Sequence, residues 1–539
     1  MNPPAPFCVI GSGPAGIAAA SALLAAGQPV VMLDVGYELE PERQQQLSQF
    51  QTPPHHWDPK ATDRVFRNGM AASSSGIPEK TVYGSLFPYK DAIPEKTANF
   101  SDAEVKHSYA QGGLSNVWGA SILPYQETDL KGWPIQLEQL KPHYRAIQRL
   151  LQPSVPQDSL SKHFPLLQST EHTLLPSDQA TSMLKQMEKH VSRLRGAGFA
   201  WGQSRLAVNA KDCLYCGLCI YGCPHELIYS ASHTLQQLKQ CVGFQYCGNF
   251  RVDRLEECSK EVRVHGVDLV TGMRSQRSFR KVLLGAGALS TARIMLNSMP
   301  AFSSALTLRC SDYFLLPFLR FRRSYGARKE PLHTLAQLFV ELDNATVSSE
   351  RVHLQFYTYN DLYPEAIKRL FGPLGNLATW ASNPLLERLL VIQGYIHSNS
   401  SSKITVRAAG SDTTVSVHGV NNPLGSQIIS KVSRLIFRHA KSLGGVPISP
   451  MLQRGIPGQG AHVGGSFPMS QHGNPERSSD LLGRPAGFQH LHLIDASVFP
   501  TIPAPTITFT IMANAHRIAS KLGRAATSNR VHATQESSR

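Results

Sequence analysis

Four of the nine cysteines stand close together in the sequence and could bind a metal cluster. They are Cys213, Cys216, Cys219 and Cys223, with two, two and three residues between them. This is the spacing of a bacterial ferredoxin motif, in which neighbouring thiolates ligate iron. Three local ligands predict a 3Fe–4S cluster, and a remote ligand such as Cys241 or Cys247 would complete a 4Fe–4S cluster. The alternatives are a tetrahedral zinc site and a loop of buried structural thiols.

A glycine motif near the N-terminus predicts a binding site for a dinucleotide. Gly11, Gly13 and Gly16 lie between a strand and a helix in a strand–helix–strand pattern over residues 7–33. Gly11 permits a tight turn, Gly13 lets the backbone approach a pyrophosphate, and Gly16 lets the helix pack closely on the strand. Asp34 ends the second strand, where its carboxylate can accept a hydrogen bond from a ribose hydroxyl. The motif by itself does not separate FAD from NAD.

His462 is a third residue whose setting suits chemistry. It lies in the glycine-rich segment Gly460-Ala-His462-Val-Gly464-Gly465. A neutral imidazole is a natural base near pH 7 and can remove the proton of a hydroxyl group. The structural alternative is a histidine that is hydrogen-bonded to the backbone of a glycine loop.

The elements predicted around these motifs are typical of a protein that mixes parallel and antiparallel sheets with helices. Residues 306–420 read as an antiparallel sheet with helices, and residues 525–539 are polar and predicted to be disordered. Besides the N-terminal unit, strands are predicted at 250–255, 261–267, 281–284, 338–342, 352–357, 403–407 and 413–418, and helices at 180–196, 364–392 and 425–442.

Composition excludes several classes of protein. The chain has 539 residues with a net charge of +15, but its basic residues are scattered and no nucleic-acid motif accompanies them. No apolar run reaches the ~20 residues of a membrane-spanning helix. The N-terminus lacks a basic segment and a cleavage site, so we expect a cytoplasmic protein. The apolar residues of 364–394 could form a surface that faces a membrane or a partner, but we favour a core helix that covers the substrate pocket.

Several blocks of the sequence, in this order, resemble the glucose–methanol–choline (GMC) flavoprotein oxidoreductases. The blocks are the N-terminal glycine motif, Gly112-Gly113-Leu-Ser115-Asn116-Val-Trp118-Gly119, Gly285–Arg293, Leu493-Ile-Asp495-Ala496 and Thr508–Ala513. The resemblance implies a discontinuous Rossmann-like FAD-binding domain with an inserted antiparallel-sheet substrate domain. The FAD domain would comprise residues 1–45, 105–125, 200–305 and 455–524, and the substrate domain residues 46–104, 126–199 and 306–454.

The resemblance also implies which residues hold FAD and which act on the substrate. Asp495 and Ala496 would lie on the flavin side of the cofactor. His462 matches the catalytic histidine of a family that oxidises alcohols and sugars by hydride transfer to flavin N5. The family's second catalytic residue is usually His or Asn, but Thr506 aligns there, or Pro505 or Thr508 if the alignment slips. The residues expected to hold FAD are Gly11, Gly13, Gly16, Asp34, Gly112, Gly113, Ser115, Asn116, Val252, Gly285, Asp495 and Ala496.

The sequence therefore predicts a FAD-dependent dehydrogenase that oxidises a CH–OH group of an alcohol, sugar or glycoside. Cys213, Cys219 and Cys223 match the Cys-x5-Cys-x3-Cys spacing of cytochrome-linked family members, so an iron–sulfur cluster would pass electrons to a cytochrome, a quinone or another acceptor. Two other hypotheses remain open. One is a FAD-dependent tailoring enzyme that desaturates or cyclises a metabolite, and the other is an electron-transfer subunit that holds FAD but performs no substrate chemistry.

Overall fold

The computed structural model describes residues 6–67, 80–90, 98–299, 305–375, 379, 382–409, 414–471 and 477–537. Four sheets and the helices packed on them contain the elements that position the candidate site. Among the described residues, no helix combines the length and the apolar character that a membrane crossing requires.

A five-stranded parallel sheet carries the N-terminal glycine motif. Its strands, from one edge to the other, are Leu491–Leu493, Lys281–Leu284, Phe7–Ile10, Val30–Leu33 and Phe244–Cys247. The central strands are apolar and buried, as expected for parallel strands that are covered on both faces. The helix Pro14–Ala25 follows the first strand and packs against the long C-terminal helix Thr508–Ser537. This confirms the predicted Rossmann-like architecture.

A large antiparallel sheet forms the second main layer. Its strands are, in order, Gly445–Pro447, Tyr313–Arg320, Leu389–Tyr395, Val352–Tyr357, Leu338–Leu342 and Phe199–Gln203, and Gln453–Arg454 also pairs with the second of these. The helices Asp178–Lys189 and Pro423–Arg438 bury Met183, Met187, Ile428 and Val432 in the same core as this sheet. The antiparallel sheet of the prediction is therefore confirmed.

Two smaller sheets connect distant parts of the chain. One contains Val463–Gly464, Leu306–Cys310, Lys403–Ala408, Val415–Val420 and Ala98–Ser101, in that order. It places the strand beside His462 next to strands that the sequence assigns to the substrate domain. The other contains Phe250–Glu257, Val262–Asp268 and Arg274–Phe279.

Further helices cover the sheets and the loops between them. The helix Leu137–Leu151 begins with a reciprocal capping box between Gln136 and Gln139, which satisfies two free backbone donors. The remaining helices are Pro41–Leu47, Pro59–Thr62, Val191–Gly196, Ala231–Leu238, Ala288–Ser298, Leu362–Phe371, Asn383–Leu386 and Ala440–Leu443.

The predicted helix at 364–392 is wrong in its second half. The helix ends at Phe371, and Leu389–Tyr395 is a central strand of the large sheet. The apolar run Leu389-Leu390-Val391-Ile392 fits either element by hydrophobicity, and pairing with two neighbouring strands decides in favour of the strand. At the C-terminus, the last helix continues to Ser537 through most of the stretch predicted to be disordered.

Candidate active site

Three glycines of the N-terminal motif form a close-packed turn with one open position. Gly11 has φ +96°, and a Cβ there would lie 2.7 Å from the carbonyl oxygen of Gly285. A Cβ on Gly16 would overlap the carbonyl oxygen of Gly11. In contrast, a Cβ on Gly13 would meet nothing within 4 Å. Gly13 is the N-cap of the helix Pro14–Ala25, so free backbone N–H groups and the positive end of the helix dipole face this open space.

The second glycine block, Gly112–Gly119, lies directly against the first, Gly11–Gly16. Gly112 adopts φ +79° and its backbone N–H donates to Ser12 Oγ at 3.0 Å. A Cβ on Gly113 would lie 3.5 Å from Gly13 Cα. Ser12 Oγ also donates to the Asp34 carboxylate. The structure therefore brings both glycine blocks and Asp34 together at the carboxyl ends of the strands of the parallel sheet.

Asp34 is a half-buried carboxylate at the end of the second strand. Tyr246 Oη donates to Asp34 Oδ2 at 3.1 Å. Burial raises the pKa of Asp34 to about 6, although the hydrogen bonds from Ser12 and Tyr246 oppose this shift. A further donor, such as a ribose hydroxyl, would stabilise the ionised form and lower its pKa.

Ser115 and Asn116 stabilise the second glycine turn. Ser115 Oγ donates to the Gly112 carbonyl at 2.6 Å and accepts from the Ala231 N–H at 2.9 Å. Asn116 Nδ2 donates to the carbonyl oxygens of Gln111 and Gly113 at 2.8 and 2.7 Å. These side chains hold the turn in shape, so the groups that the turn can present to a ligand are those of its backbone.

Gly285 follows one strand of the parallel sheet, and Val252 lies in a strand that begins beside Asp34. A Cβ on Gly285 would lie 3.1 Å from the Ile494 side chain, which makes this a close approach between strands. The strand Phe250–Glu257 begins beside Asp34, because the Phe250 N–H donates to the Asp34 carbonyl at 2.9 Å. Val252 is buried, and its carbonyl accepts from Arg293 Nη2 at 2.9 Å.

Asp495 belongs to the C-terminal block Leu493–Ala496, and its hydrogen bonds connect this block to the turn after Gly285. Its Oδ2 accepts from the Gly287 N–H at 2.9 Å and from Thr291 Oγ1 at 2.6 Å. Its Oδ1 accepts from the Ser497 N–H at 2.9 Å. Burial raises the pKa of this carboxyl, while its hydrogen bonds lower it. Asp495 thus caps the helix Ala288–Ser298 and fixes the segment that follows it.

Backbone pairing joins the His462 segment to the Asp495 segment. The N–H groups of Gly465, Phe467 and Met469 donate to the carbonyl oxygens of Ala496, Ser497 and Val498 at 2.8 to 2.9 Å. A Cβ on Gly464 would overlap the Ala496 carbonyl, so this close pairing requires glycine. The glycines after His462 therefore bring the imidazole to the segment expected to lie beside the flavin.

His462 is a half-buried imidazole that stacks on an aromatic ring. Its ring centroid lies 4.4 Å from that of Tyr395, and the ring planes differ by 21°. In the described part of the chain, no hydrogen-bond partner reaches its buried Nδ1. Burial, with a smaller effect from His353, lowers the pKa of His462 to about 3. The side chain is therefore neutral at physiological pH and able to accept a proton.

Thr506 follows a segment that packs against the same aromatic rings. Ala504, two residues earlier, packs in one cluster with Tyr313 and Tyr395. Thr506 is buried, and no described group forms a hydrogen bond with its Oγ1. Tyr395 thus contacts both His462 and the segment that carries Thr506. An unpaired buried hydroxyl is costly, and a substrate oxygen would satisfy it.

A row of buried polar side chains behind Tyr395 was missed in the sequence. His353, Gln355 and Tyr357 alternate along one strand, so they share a face, and Tyr395 pairs with His353 on the next strand. His353 and Tyr395 stack with 6.3 Å between their centroids. The alternation of polar residues in an otherwise apolar strand was the signal available in the sequence.

The hydrogen bonds of this row have one consistent direction. The Gln355 amide donates to His353 Nε2 at 3.1 Å, so His353 Nδ1 carries the proton and donates to Glu341 Oε1 at 2.6 Å. Tyr357 Oη donates to Gln355 Oε1 at 3.1 Å. Tyr357 Oη would lie 3.6 Å from a Cβ on Gly119, so the row ends beside the second glycine block.

The described residues give no support to the predicted iron–sulfur cluster. Across the part of the chain that the structure describes, which includes Cys213, Cys216, Cys219 and Cys223, no three His, Cys, Asp or Glu side chains are placed to hold a metal ion. Burial and the neighbouring Cys219 raise the pKa of Cys216 to about 12 and that of Cys223 to about 11, so both side chains are thiols at neutral pH when no metal is bound. We therefore derive no electron-transfer step through these residues.

Apolar packing places the cysteine side chains against two different cores. Cys216 packs in a small cluster around Phe50, Phe66 and Tyr221, whereas Cys213 and Cys219 pack against the main core. The loop is therefore held by two different cores on its two sides. The spacing of the cysteines could not reveal this, because it carries no information on which core each side chain joins.

Comparison with known proteins agrees with this geometry. Residues 448–515, which include His462, Asp495 and Thr506, match the family model of the C-terminal domain of GMC oxidoreductases. The crystal structure of pyridoxine 4-oxidase from Mesorbium loti superimposes with a TM-score of 0.59 at 12% identity, covering 96% of this chain and 99% of that chain. At this identity the likeness concerns the fold alone. No curated protein matches the sequence.

Proposed function

We propose that this chain, whose residues 448–515 match the family model of GMC oxidoreductases, is a FAD-dependent enzyme of that family and oxidises the CH–OH group of an alcohol-type substrate with His462 as the base. One observation carries this proposal. A half-buried imidazole, kept neutral by its surroundings, lies in a segment that pairs through its backbone with Ala496–Val498. A neutral imidazole accepts the hydroxyl proton as the carbinol carbon is oxidised.

The residues at the carboxyl ends of the parallel strands fit FAD. The open space beside Gly13 and the N-terminus of the helix Pro14–Ala25 suit its pyrophosphate, and Asp34 suits a ribose hydroxyl. Gly112 and Gly113 offer backbone on the other side of that space. When bound, FAD supplies the acceptor for the hydride that leaves the substrate carbon. The chain's own part is to position the cofactor and to take the hydroxyl proton.

Aromatic and hydroxyl groups around His462 support a ring-bearing alcohol, sugar or glycoside as substrate. Tyr395 and Tyr313 are buried neighbouring rings 6.1 Å apart that form a rigid aromatic wall beside His462, and such a wall favours a ring-bearing substrate. Thr506 Oγ1 can hydrogen-bond the substrate oxygen but cannot act as a base. The electrons leave to an acceptor outside the chain, such as a quinone or a cytochrome.

The test is anaerobic reduction of the FAD-loaded protein by a panel of alcohols. The panel contains pyridoxine, benzyl alcohol, free hexoses and alkyl glycosides, and the readout is the loss of the flavin absorption band. Bleaching by at least one member is the expected result. A protein that purifies without FAD and does not bind it would contradict the proposal.

Oxidative tailoring, such as desaturation or cyclisation of a metabolite, is a second candidate. Thr506 favours it, because the family's usual His or Asn is absent from that position and the pair of catalytic side chains is weaker. A protein that binds FAD tightly but is not reduced by any alcohol of the panel would support this candidate over the first.

A further inference from the structure

A second cavity lies at the far end of the large antiparallel sheet. It has a volume of about 490 Å³ and lies between the helix Asp178–Lys189 and the segment Arg320–Tyr325. Tyr313, in the aromatic cluster beside His462, begins the strand that Arg320 ends. At about 3.3 Å per residue, the seven steps between these two residues span roughly 23 Å. The cavity is therefore separate from the candidate active site.

A buried arginine without a carboxylate partner lines this cavity. The Arg320 side chain is 4% exposed. Its Nη1 donates to Ser324 Oγ at 2.8 Å and its Nη2 to Ser182 Oγ at 2.6 Å, and both acceptors are neutral hydroxyls. Among the described residues, no carboxylate lies within ion-pair distance of its guanidinium. A buried charge of this kind is costly unless an ion of opposite charge approaches it.

Of the three other arginines that are buried among the described residues, two pair with a carboxylate, whereas Arg517 donates to the Asn514 side chain and the Leu481 carbonyl. Arg205 Nη1 donates to the Asp158 carboxylate at 3.0 Å. Arg293 Nη1 lies 3.2 Å from the Asp253 carboxylate. Arg320 differs from Arg205 and Arg293, because serine hydroxyls take the place of the carboxylates and the residue lines a cavity.

The walls of the cavity add positive charge to that of Arg320. Lys185, Lys189 and Arg322 also line it, and Asp178 is the only carboxylate among the described lining residues. Burial, together with the neighbouring charge of Arg322, lowers the pKa of Arg320. Glu387, which lies beside this segment, is already paired with Arg323 and with the Gly326 N–H. The positive charge of the lining side chains is therefore not balanced by the described residues around the cavity, and it can attract an anionic ligand.

We propose that this cavity binds the phosphate group of a small phosphorylated molecule. A guanidinium donates parallel N–H groups to phosphate oxygens, and two serine hydroxyls already hold Arg320 in one orientation. Lys185 and Lys189 add point charges at the rim of the cavity. Phe321 and Tyr325 line the same cavity and are 50% and 79% exposed, so they offer apolar faces to the rest of the ligand.

The proposal is tested with pyrophosphate as the probe. Its binding to the FAD-loaded protein is measured by calorimetry in a low-salt buffer free of phosphate and sulfate. We expect one saturable site, and at least a ~10-fold loss of affinity in Arg320→Met, because a charge-assisted donor pair is removed. The methionine fills a similar volume without a buried charge, so the variant should fold.

Two further variants keep the result interpretable. Lys185→Gln combined with Lys189→Gln changes only exposed side chains and should weaken pyrophosphate binding several-fold. Arg149→Met removes an exposed arginine from the helix Leu137–Leu151 and should leave the affinity unchanged. Equal affinity in Arg320→Met and the wild type, or an equal loss in Arg149→Met, would overturn the proposal.

A vesicle experiment identifies the source of the phosphate. Sedimentation with phosphatidylcholine vesicles that contain phosphatidic acid is compared with the pyrophosphate titration. Binding of vesicles that depends on Arg320 would assign the site to a lipid headgroup, whereas binding of pyrophosphate alone would assign it to a soluble ligand. If neither probe binds in an Arg320-dependent way, the site does not exist.

Discussion

His462 combines a protected position with a neutral charge, and both follow from what surrounds it. Tyr395 covers one face of its ring, and the paired segment Ala496–Val498 fixes its backbone. The buried row behind Tyr395 ends in Glu341, whose Oε1 holds His353 in one tautomer. The base that the proposed chemistry needs is therefore set by its packing environment more than by any direct hydrogen bond.

The pH dependence of flavin reduction should reflect this environment. An imidazole cannot accept a proton once it is protonated, and burial lowers the pKa of His462 from its usual value near 6.5 to about 3. The loss of base should therefore occur at lower pH than for an ordinary histidine. We expect the rate constant for flavin reduction at saturating alcohol to stay level from about pH 8 to about pH 5.

That rate constant is measured by anaerobic stopped-flow mixing over the whole pH range. A control at each pH confirms that FAD remains bound. A decline with a midpoint near pH 6.5 would show that His462 titrates as a solvent-exposed histidine, and would contradict the pKa shift that its burial implies.

At the scale of single elements, the two glycines Gly13 and Gly16 separate cofactor binding from folding. A methyl group on Gly16 would overlap the Gly11 carbonyl, whereas one on Gly13 enters the space open to a pyrophosphate. Gly13→Ala should fold with a nearly unchanged free energy of unfolding but bind FAD at least ~10-fold more weakly. Gly16→Ala should be destabilised as well, because the helix must move away from the strand.

Urea unfolding of the apoproteins and fluorescence titration with FAD measure the two effects separately. The pair serves as its own matched control, since each variant adds one methyl group to the same turn. Tight FAD binding by Gly13→Ala would show that the pyrophosphate does not occupy the space beside this residue.

The Asp495 carboxylate stabilises two elements, the start of the helix Ala288–Ser298 and the segment that follows Asp495. Replacing it with Asn turns one acceptor oxygen into a donor that faces the N–H and O–H groups now bound there. Asp495→Asn should therefore lower the free energy of unfolding by about 2–3 kcal/mol. Asp268→Asn is the matched control, because that exposed carboxylate accepts two backbone N–H groups in a turn and should cost less than about 1 kcal/mol.

Urea denaturation of both variants gives the comparison. A loss for Asp495→Asn no larger than that for Asp268→Asn would mean that the three buried hydrogen bonds do not hold the C-terminal block in place.

Sequence patterns predicted the elements whose apolar residues recur at regular intervals. They missed the elements that form only because they pair with neighbouring strands. The N-terminal strand–helix–strand unit and the strands Leu338–Leu342 and Val352–Tyr357 follow directly from glycine positions and apolar runs. The strand Leu389–Tyr395 was assigned to a helix because its apolar run fits both elements. The strand Arg274–Phe279 was missed, since it is polar and mostly exposed.

At the scale of the whole molecule, the candidate site is built from segments separated by hundreds of residues. Sequence motifs identified the part of the site that is expected to bind FAD, because the conformation of the glycines and the position of the aspartate are fixed within short segments of the chain. Tyr395, Glu341 and His353 could not be identified in this way, since their roles depend on the register of strands from distant parts of the chain. The cysteine run is the opposite case, because a familiar spacing is present but its side chains pack against two different cores and form no metal site among the described residues.

The metal content of the whole protein should follow the packing of the cysteines. We expect anaerobically purified protein to contain FAD but no stoichiometric iron or acid-labile sulfide. Replacing Cys213, Cys216, Cys219 and Cys223 together with Ser should leave the flavin spectrum and the rate of flavin reduction within a few-fold of the wild type. Several irons per chain, with a matching loss in the Ser variant, would restore the cluster and contradict the structure.

The central claim is that His462 removes the substrate's proton, and single-turnover flavin reduction tests it most directly. His462→Ala, loaded with FAD, is mixed anaerobically with the best alcohol of the panel, alongside His172→Ala as a control at an exposed histidine. We predict a rate constant lower by about 10²- to 10⁴-fold in His462→Ala and unchanged in His172→Ala, with FAD bound in both. An unchanged rate in His462→Ala would contradict the claim.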